Sequence, residues 1–111
     1  MTTYLPTDSD NNPIPALRLK DDKAHQIAIT AASVRNTTAF EDSTRVISIY
    51  ATEDVFLRFG DSSVSAQNTD HFFPAGIYYD VSIGGEKTGH FSHVAVISAG
   101  TNGTLYISEK S

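Results

Sequence analysis

A chain of 111 residues, 40% of them hydrophobic, closes one modest core and leaves little for a second. Its formal net charge of −5, with only eight Lys and Arg scattered along it, excludes a phosphate-neutralising nucleic-acid groove, which needs clustered cations. The absence of cysteine excludes a disulfide framework, a thiolate metal site and a thiol nucleophile, and leaves the redox compartment open.

Residues 1–10 are polar and lack the basic start and apolar run of a signal peptide, and no stretch approaches bilayer-spanning length. The expectation is synthesis and folding in a cytosol, with no membrane partner. Pro6, Pro13 and Pro15 stand among Asp, Asn, Ser and Thr, so residues 1–24 read as an extended N-terminal arm ahead of a β-domain spanning residues 25–111. The arm is either a loose terminus or a segment that orders on a partner, with Tyr4, Leu5, Ile14 and Leu17 as its apolar contacts. Leu17 and Leu19, alternating with Arg18 and Lys20, are compatible with a short edge strand.

From His25 the period becomes two. Ile27 and Ile29 alternate with Ala28 and Thr30, and Ile47 and Ile49 with Val46, Ser48 and Tyr50. Val55, Leu57 and Phe59 share a face opposite Phe56 and Arg58. Only Thr52, Glu53 and Asp54 separate this run from the preceding one, which predicts an antiparallel hairpin between residues 45–51 and 55–60. Residues 60–70 read as a loop with Val64 pinned inward. Ile77, Tyr79, Val81 and Ile83 share the next inward face, and Gly84-Gly85 ends that run in a turn. The last two runs, residues 94–97 and 104–107, flank Asn102-Gly103, whose demand for φ > 0 predicts a second hairpin.

No window shows a sustained period of 3.6. Six to eight short strands without helices to cover a parallel sheet predict an all-β fold, an antiparallel β-sandwich of jelly-roll-like form.

Candidate chemistry is sparse. His90 and His93 stand three apart, which on a strand places them on opposite faces, and His25 and His71 lie far off in sequence, so no metal site is expected. Glu41-Asp42 and Glu53-Asp54 are adjacent carboxylates in turns rather than an acid and a base flanking a bond. Ser62, Ser63 and Ser65 lack the Gly-x-Ser-x-Gly frame of a nucleophile elbow, and residues 84–89 lack phosphate-loop spacing and read better as a hairpin turn. Asn36 and Asn102 head glycosylation sequons without a secretory signal to bring them to the enzyme. Neither a catalytic residue nor a cofactor is expected. Tyr50, Phe56, Tyr78 and Tyr106 fall opposite the core pattern, where large rings suit a partner interface or a sugar platform.

Residues 49–64, with the sequence IYATEDVFLRFGDSSV, are followed by Asp70-His71-Phe72-Phe73-Pro74-Ala75-Gly76. With His93-Val94-Ala95-Val96-Ile97 and residues 103–109, GTLYISE, they resemble small β-rich proteins encoded among tailed-bacteriophage head genes. The resemblance covers roughly the last two-thirds of the chain and carries no catalytic signature. It implies a structural virion component, a capsid decoration or head-spike-base protein seated on the major capsid protein. Outward aromatic residues on a small core add the expectation of a homo-oligomer, a trimer as first choice. The alternatives are a carbohydrate-binding β-sandwich module without catalysis and a small enzyme using the histidines.

Overall fold

The computed structural model describes residues 18–85 and 89–111. The arm residues 1–17, including Tyr4, Leu5, Ile14 and Leu17, lie outside the described residues, as do residues 86–88 of the glycine-rich turn.

The described chain is all-β and antiparallel, without helix. Its strands are β1 (Leu19–Ile29), β2 (Val34–Arg35), β3 (Val46–Ala51), β4 (Val55–Gly60), β5 (His71–Phe73), β6 (Tyr78–Ser82), β7 (Gly84–Gly85), β8 (Gly89–His90), β9 (His93–Ser98) and β10 (Gly103–Lys110). One four-stranded sheet has the order β1-β10-β3-β6, a second the order β2-β9-β4-β5, and β7 and β8 form a separate small hairpin. β1 begins at Leu19, inside the stretch expected as arm, and its register shifts between Leu19 and Ala24, where Asp22 takes a positive φ of 61°. Aspartate is among the few side chains that tolerate that region, and the bulge absorbs the charged run at Asp21 and Asp22.

Period-2 alternation builds one core between the sheets. The first sheet contributes Ile27, Ile29, Ile47, Ile49, Leu105 and Ile107, and the second Val55, Leu57, Val94 and Val96, all buried in one cluster with Phe40 and Ile83. Burying a side chain of this size contributes about 1.5–3 kcal/mol, so this cluster is the main favourable term of the fold. Ile77 departs from the expected inward face. It precedes β6 in the connection from β5 and is 47% exposed.

Both expected hairpins are overturned. β3 pairs with β10 and β6, whereas β4 pairs with β9 and β5, so residues 52–54 carry the chain from one sheet to the other. Likewise β9 and β10 lie in different sheets, and residues 99–102 form a second crossing. Alternation fixes which side chains face inward, and an arch over the core satisfies it as well as a turn within one sheet does. Asn102 and Gly103 do not take positive φ. Gly103 is needed for a different reason: a Cβ there would collide with Thr52 Oγ1 and come within 2.9 Å of Glu53 Cγ.

The crossings stack at one end of the molecule. Thr52 N–H donates to Thr104 O at 3.1 Å, Thr104 N–H to Thr52 Oγ1 at 2.9 Å, and Ala99 N–H to Asp54 O at 3.0 Å. The connection between β5 and β6 joins them, with Ala75 N–H donating to Asp54 Oδ1 at 2.7 Å and Gly76 N–H to Ala51 O at 2.9 Å. Asp54, expected as half of a solvated turn pair, therefore splices three arches together.

Candidate functional site

Strand register spreads the sequence-selected aromatic residues over two opposite outer faces. Tyr78, Tyr50 and Tyr106 stand opposite one another across β6, β3 and β10, and Gln26 of β1 continues the row. The Tyr50 and Tyr78 rings lie 4.8 Å apart at 40°, Tyr78 is 75% exposed and Tyr106 43%. Beside the row runs a shallow groove lined by Leu19, Ser48, Tyr78, Asp80, Ser108 and Lys110. Lys110 Nζ lies 2.8 Å from Asp80 Oδ1 across it. Such an exposed pair contributes little to stability, about 0–1 kcal/mol.

Phe56 belongs to the other sheet. Its neighbours in register are Phe72 on the edge strand β5 and Ile97 on β9, which gives an apolar row on the outer face of the second sheet. The phenyl rings are 5.6 Å apart, and Phe72 is 53% exposed. Residues 61–70 cover the neighbouring part of this face. Val64 and Ala66 pack on Ala95 with Ile97 alongside, so the inward placement of Val64 is found, but against the outside of the sheet rather than in the main core. Ser33 Oγ accepts Ala66 N–H at 2.8 Å. Asp61 opens the loop, and hydrogen bonds from the Ser63 hydroxyl and N–H hold its carboxyl below the usual carboxylate range.

A third feature, a polar cluster, lies at the end of the molecule opposite the arches, where β10 finishes. Glu109 is fully buried, accepting from Thr44 Oγ1 at 2.6 Å and Glu41 N–H at 2.9 Å, with His25 Nε2 at 2.7 Å. Burial pushes the Glu109 carboxyl up, but Thr44, His25 and Glu41 outweigh it and leave the carboxyl below its ordinary value. Lys20 reaches Ser43 and Thr44 hydroxyls at 2.9 Å, and the His25 ring meets Phe40 edge-on at 5.1 Å. This cluster clamps β1 and the 41–44 loop to β10. Asn36, the head of one sequon, is also buried, its amide donating to Thr38 O at 2.7 Å and its oxygen accepting Val94 N–H at 2.8 Å. Sequence reasoning singled out neither Glu109 nor Thr44. The signal available was Glu109 itself, a charged residue in phase with Leu105 and Ile107 on the inward face.

The histidines are dispersed. His25 meets Glu109, His90 Nε2 lies 2.9 Å from Thr44 O, His93 Nδ1 lies 2.7 Å from Ser92 Oγ, and His71 is exposed. Among the described residues no three His, Asp or Glu side chains gather as metal ligands. The Glu109 network is sealed inside, whereas on the outer face of the first sheet the groups that face solvent together are rings, hydroxyls and the Asp80–Lys110 pair, an arrangement suited to binding. No protein-family model, curated protein or solved structure matches the chain.

Proposed function

We propose that this chain is a non-catalytic structural component of a tailed-phage virion, a capsid decoration or head-spike-base protein that docks on the major capsid protein through the outer face of its second sheet. The observation that carries the reading is the apolar row Phe72, Phe56 and Ile97. It lies outside the core and ends at a three-residue edge strand, and Phe72 offers more than half of its surface to solvent. Apolar area of that kind, centred on aromatic rings, is what a protein interface buries.

The strand order supports a jelly-roll-like β-sandwich, an architecture at home in capsids. With the β7–β8 hairpin set aside, the remaining strands named a to h in chain order form sheets a-h-c-f and b-g-d-e, the arrangement produced by two interlocked Greek keys. On this reading the chain is made in the host cytoplasm and joins the virion in many copies, with trimerisation as the first expectation.

The test is co-sedimentation of purified protein with isolated capsids of the phage whose genome encodes it, with light scattering of the free protein alongside. Saturable binding at a fixed ratio to the major capsid protein is expected. Protein left in the supernatant at every ratio overturns the proposal, whatever the free oligomeric state.

A further inference from the structure

We propose that the tyrosine-bearing outer face of the first sheet is a binding site for a neutral glycan, a role that does not depend on docking through the second sheet. The two outer faces differ in chemistry. The phenylalanine row is apolar throughout, whereas the tyrosine row borders a groove floored by the Ser48 and Ser108 hydroxyls and closed by Asp80 and Lys110.

The rings supply the first half of sugar recognition. Tyr78 is the most exposed of the three and its ring lies 4.8 Å from that of Tyr50, and Tyr106 continues the platform on β10. Aromatic faces of this sort take the C–H surface of a pyranose, burying apolar area while the phenol keeps a polar tip. Hydrogen-bonding groups supply the second half. The hydroxyls of Ser48, Ser108, Tyr50, Tyr78 and Tyr106 have no partner among the described residues, and none of these oxygens is sealed from solvent. A ligand rich in hydroxyls, each both donor and acceptor, answers such a set better than an apolar side chain does.

Charge selects among polar ligands. Alternation along β3, β6 and β10 turns Val46, Ser48, Tyr50, Tyr78, Ser82 and Tyr106 outward with Asp80 and Lys110, whose charges cancel across 2.8 Å. A neutral face on a chain of net charge −5 disfavours an acidic polymer and complements an uncharged one. The groove measures about 440 Å3, within the ~300–1,000 Å3 range of small-ligand sites. Among the described residues Asp80 is the only carboxylate lining it, and glycoside hydrolysis requires a second acid, so the proposed role is binding without cleavage.

The experiment titrates the full chain with neutral hexasaccharides of glucose, mannose, galactose and N-acetylglucosamine. Saturation-transfer NMR reads the sugar, and tyrosine fluorescence reads the protein, which contains no tryptophan. Concentrations up to about 5 mM would reveal a Kd of ~1 mM. Binding of at least one hexasaccharide is expected, with Tyr78→Ala weakening it about tenfold. Ser108→Ala should weaken it less and Phe72→Ala not at all. Because Tyr78 is mostly exposed, its truncation leaves the fold intact, which a thermal melt verifies. No saturation transfer from any of the four sugars overturns the proposal. So does binding indifferent to Tyr78→Ala, or light scattering that shows the tyrosine face occupied by a second copy of this chain and freed by the same substitution.

Discussion

His25 Nε2 lies 2.7 Å from Glu109 Oε2, joining β1 to the end of β10 across 84 residues of chain. The carboxylate beneath is sealed from water and keeps two further donors, so removal of the imidazole leaves buried charge without one of its three partners. His25→Ala is expected to cost about 2–4 kcal/mol, part of it from the lost edge contact with Phe40. Urea unfolding measures this, and a double-mutant cycle with Glu109→Gln should return a coupling above about 1 kcal/mol. Additive effects would contradict the clamp.

The same carboxylate makes stability depend on pH. Glu109 titrates below its ordinary value of about 4.5 when folded, so in that window the unfolded chain binds more protons and stability rises with pH. Its contribution is complete above the unfolded value and is lost as pH falls through the folded one. The stability difference between the unsubstituted chain and Glu109→Gln should therefore shrink as pH is lowered from about 7 to about 3. A constant difference would show that Glu109 does not carry it.

Gly103→Ala should destabilise the protein by about 1–3 kcal/mol, because the new methyl meets Thr52 and Glu53 in the neighbouring arch rather than open space. Gly100→Ala, in the same crossing but with nothing within 4 Å, is the control and should stay within about 0.5 kcal/mol. Equal melts for the two variants would remove the stacked arches from the account.

These arches also mark what the sequence made legible. Alternation at Ile47 and Ile49, at Val55 and Leu57, and at Leu105 and Ile107 identified the strands and their buried faces, because one side of each sheet must leave water. Strand partners were hidden. Three residues between β3 and β4 can reverse the chain within a sheet or lift it across the core, and both choices bury the same side chains. What decides here is Asp54 and Gly103 bonding and packing arch against arch, contacts between segments far apart in sequence. For the same reason Tyr50, Phe56, Tyr78 and Tyr106 were recognisable as outward rings, but their division between two faces was not.

The loop over the second sheet hangs on Val64. Val64→Ala should cost about 1–2 kcal/mol. Hydrogen exchange should show faster exchange at the Val64 and Ala66 amides, which donate to Asp61 O and Ser33 Oγ, while amides of β4 and β9 keep their protection. Uniform loss of protection across the sheet would mean that the loop is not a separable cover.

Docking through the phenylalanine row is tested most directly by measuring capsid affinity for Phe72→Ser beside Tyr78→Ser. Both side chains are more than half exposed, so both variants should fold, and they alter opposite faces of the same molecule. Loss of an aromatic anchor of an interface costs about 2 kcal/mol or more, which is roughly thirtyfold in Kd. That loss is expected for Phe72→Ser, and an affinity within about twofold of the unsubstituted chain for Tyr78→Ser. Undiminished binding of Phe72→Ser, or a loss confined to Tyr78→Ser, would contradict it.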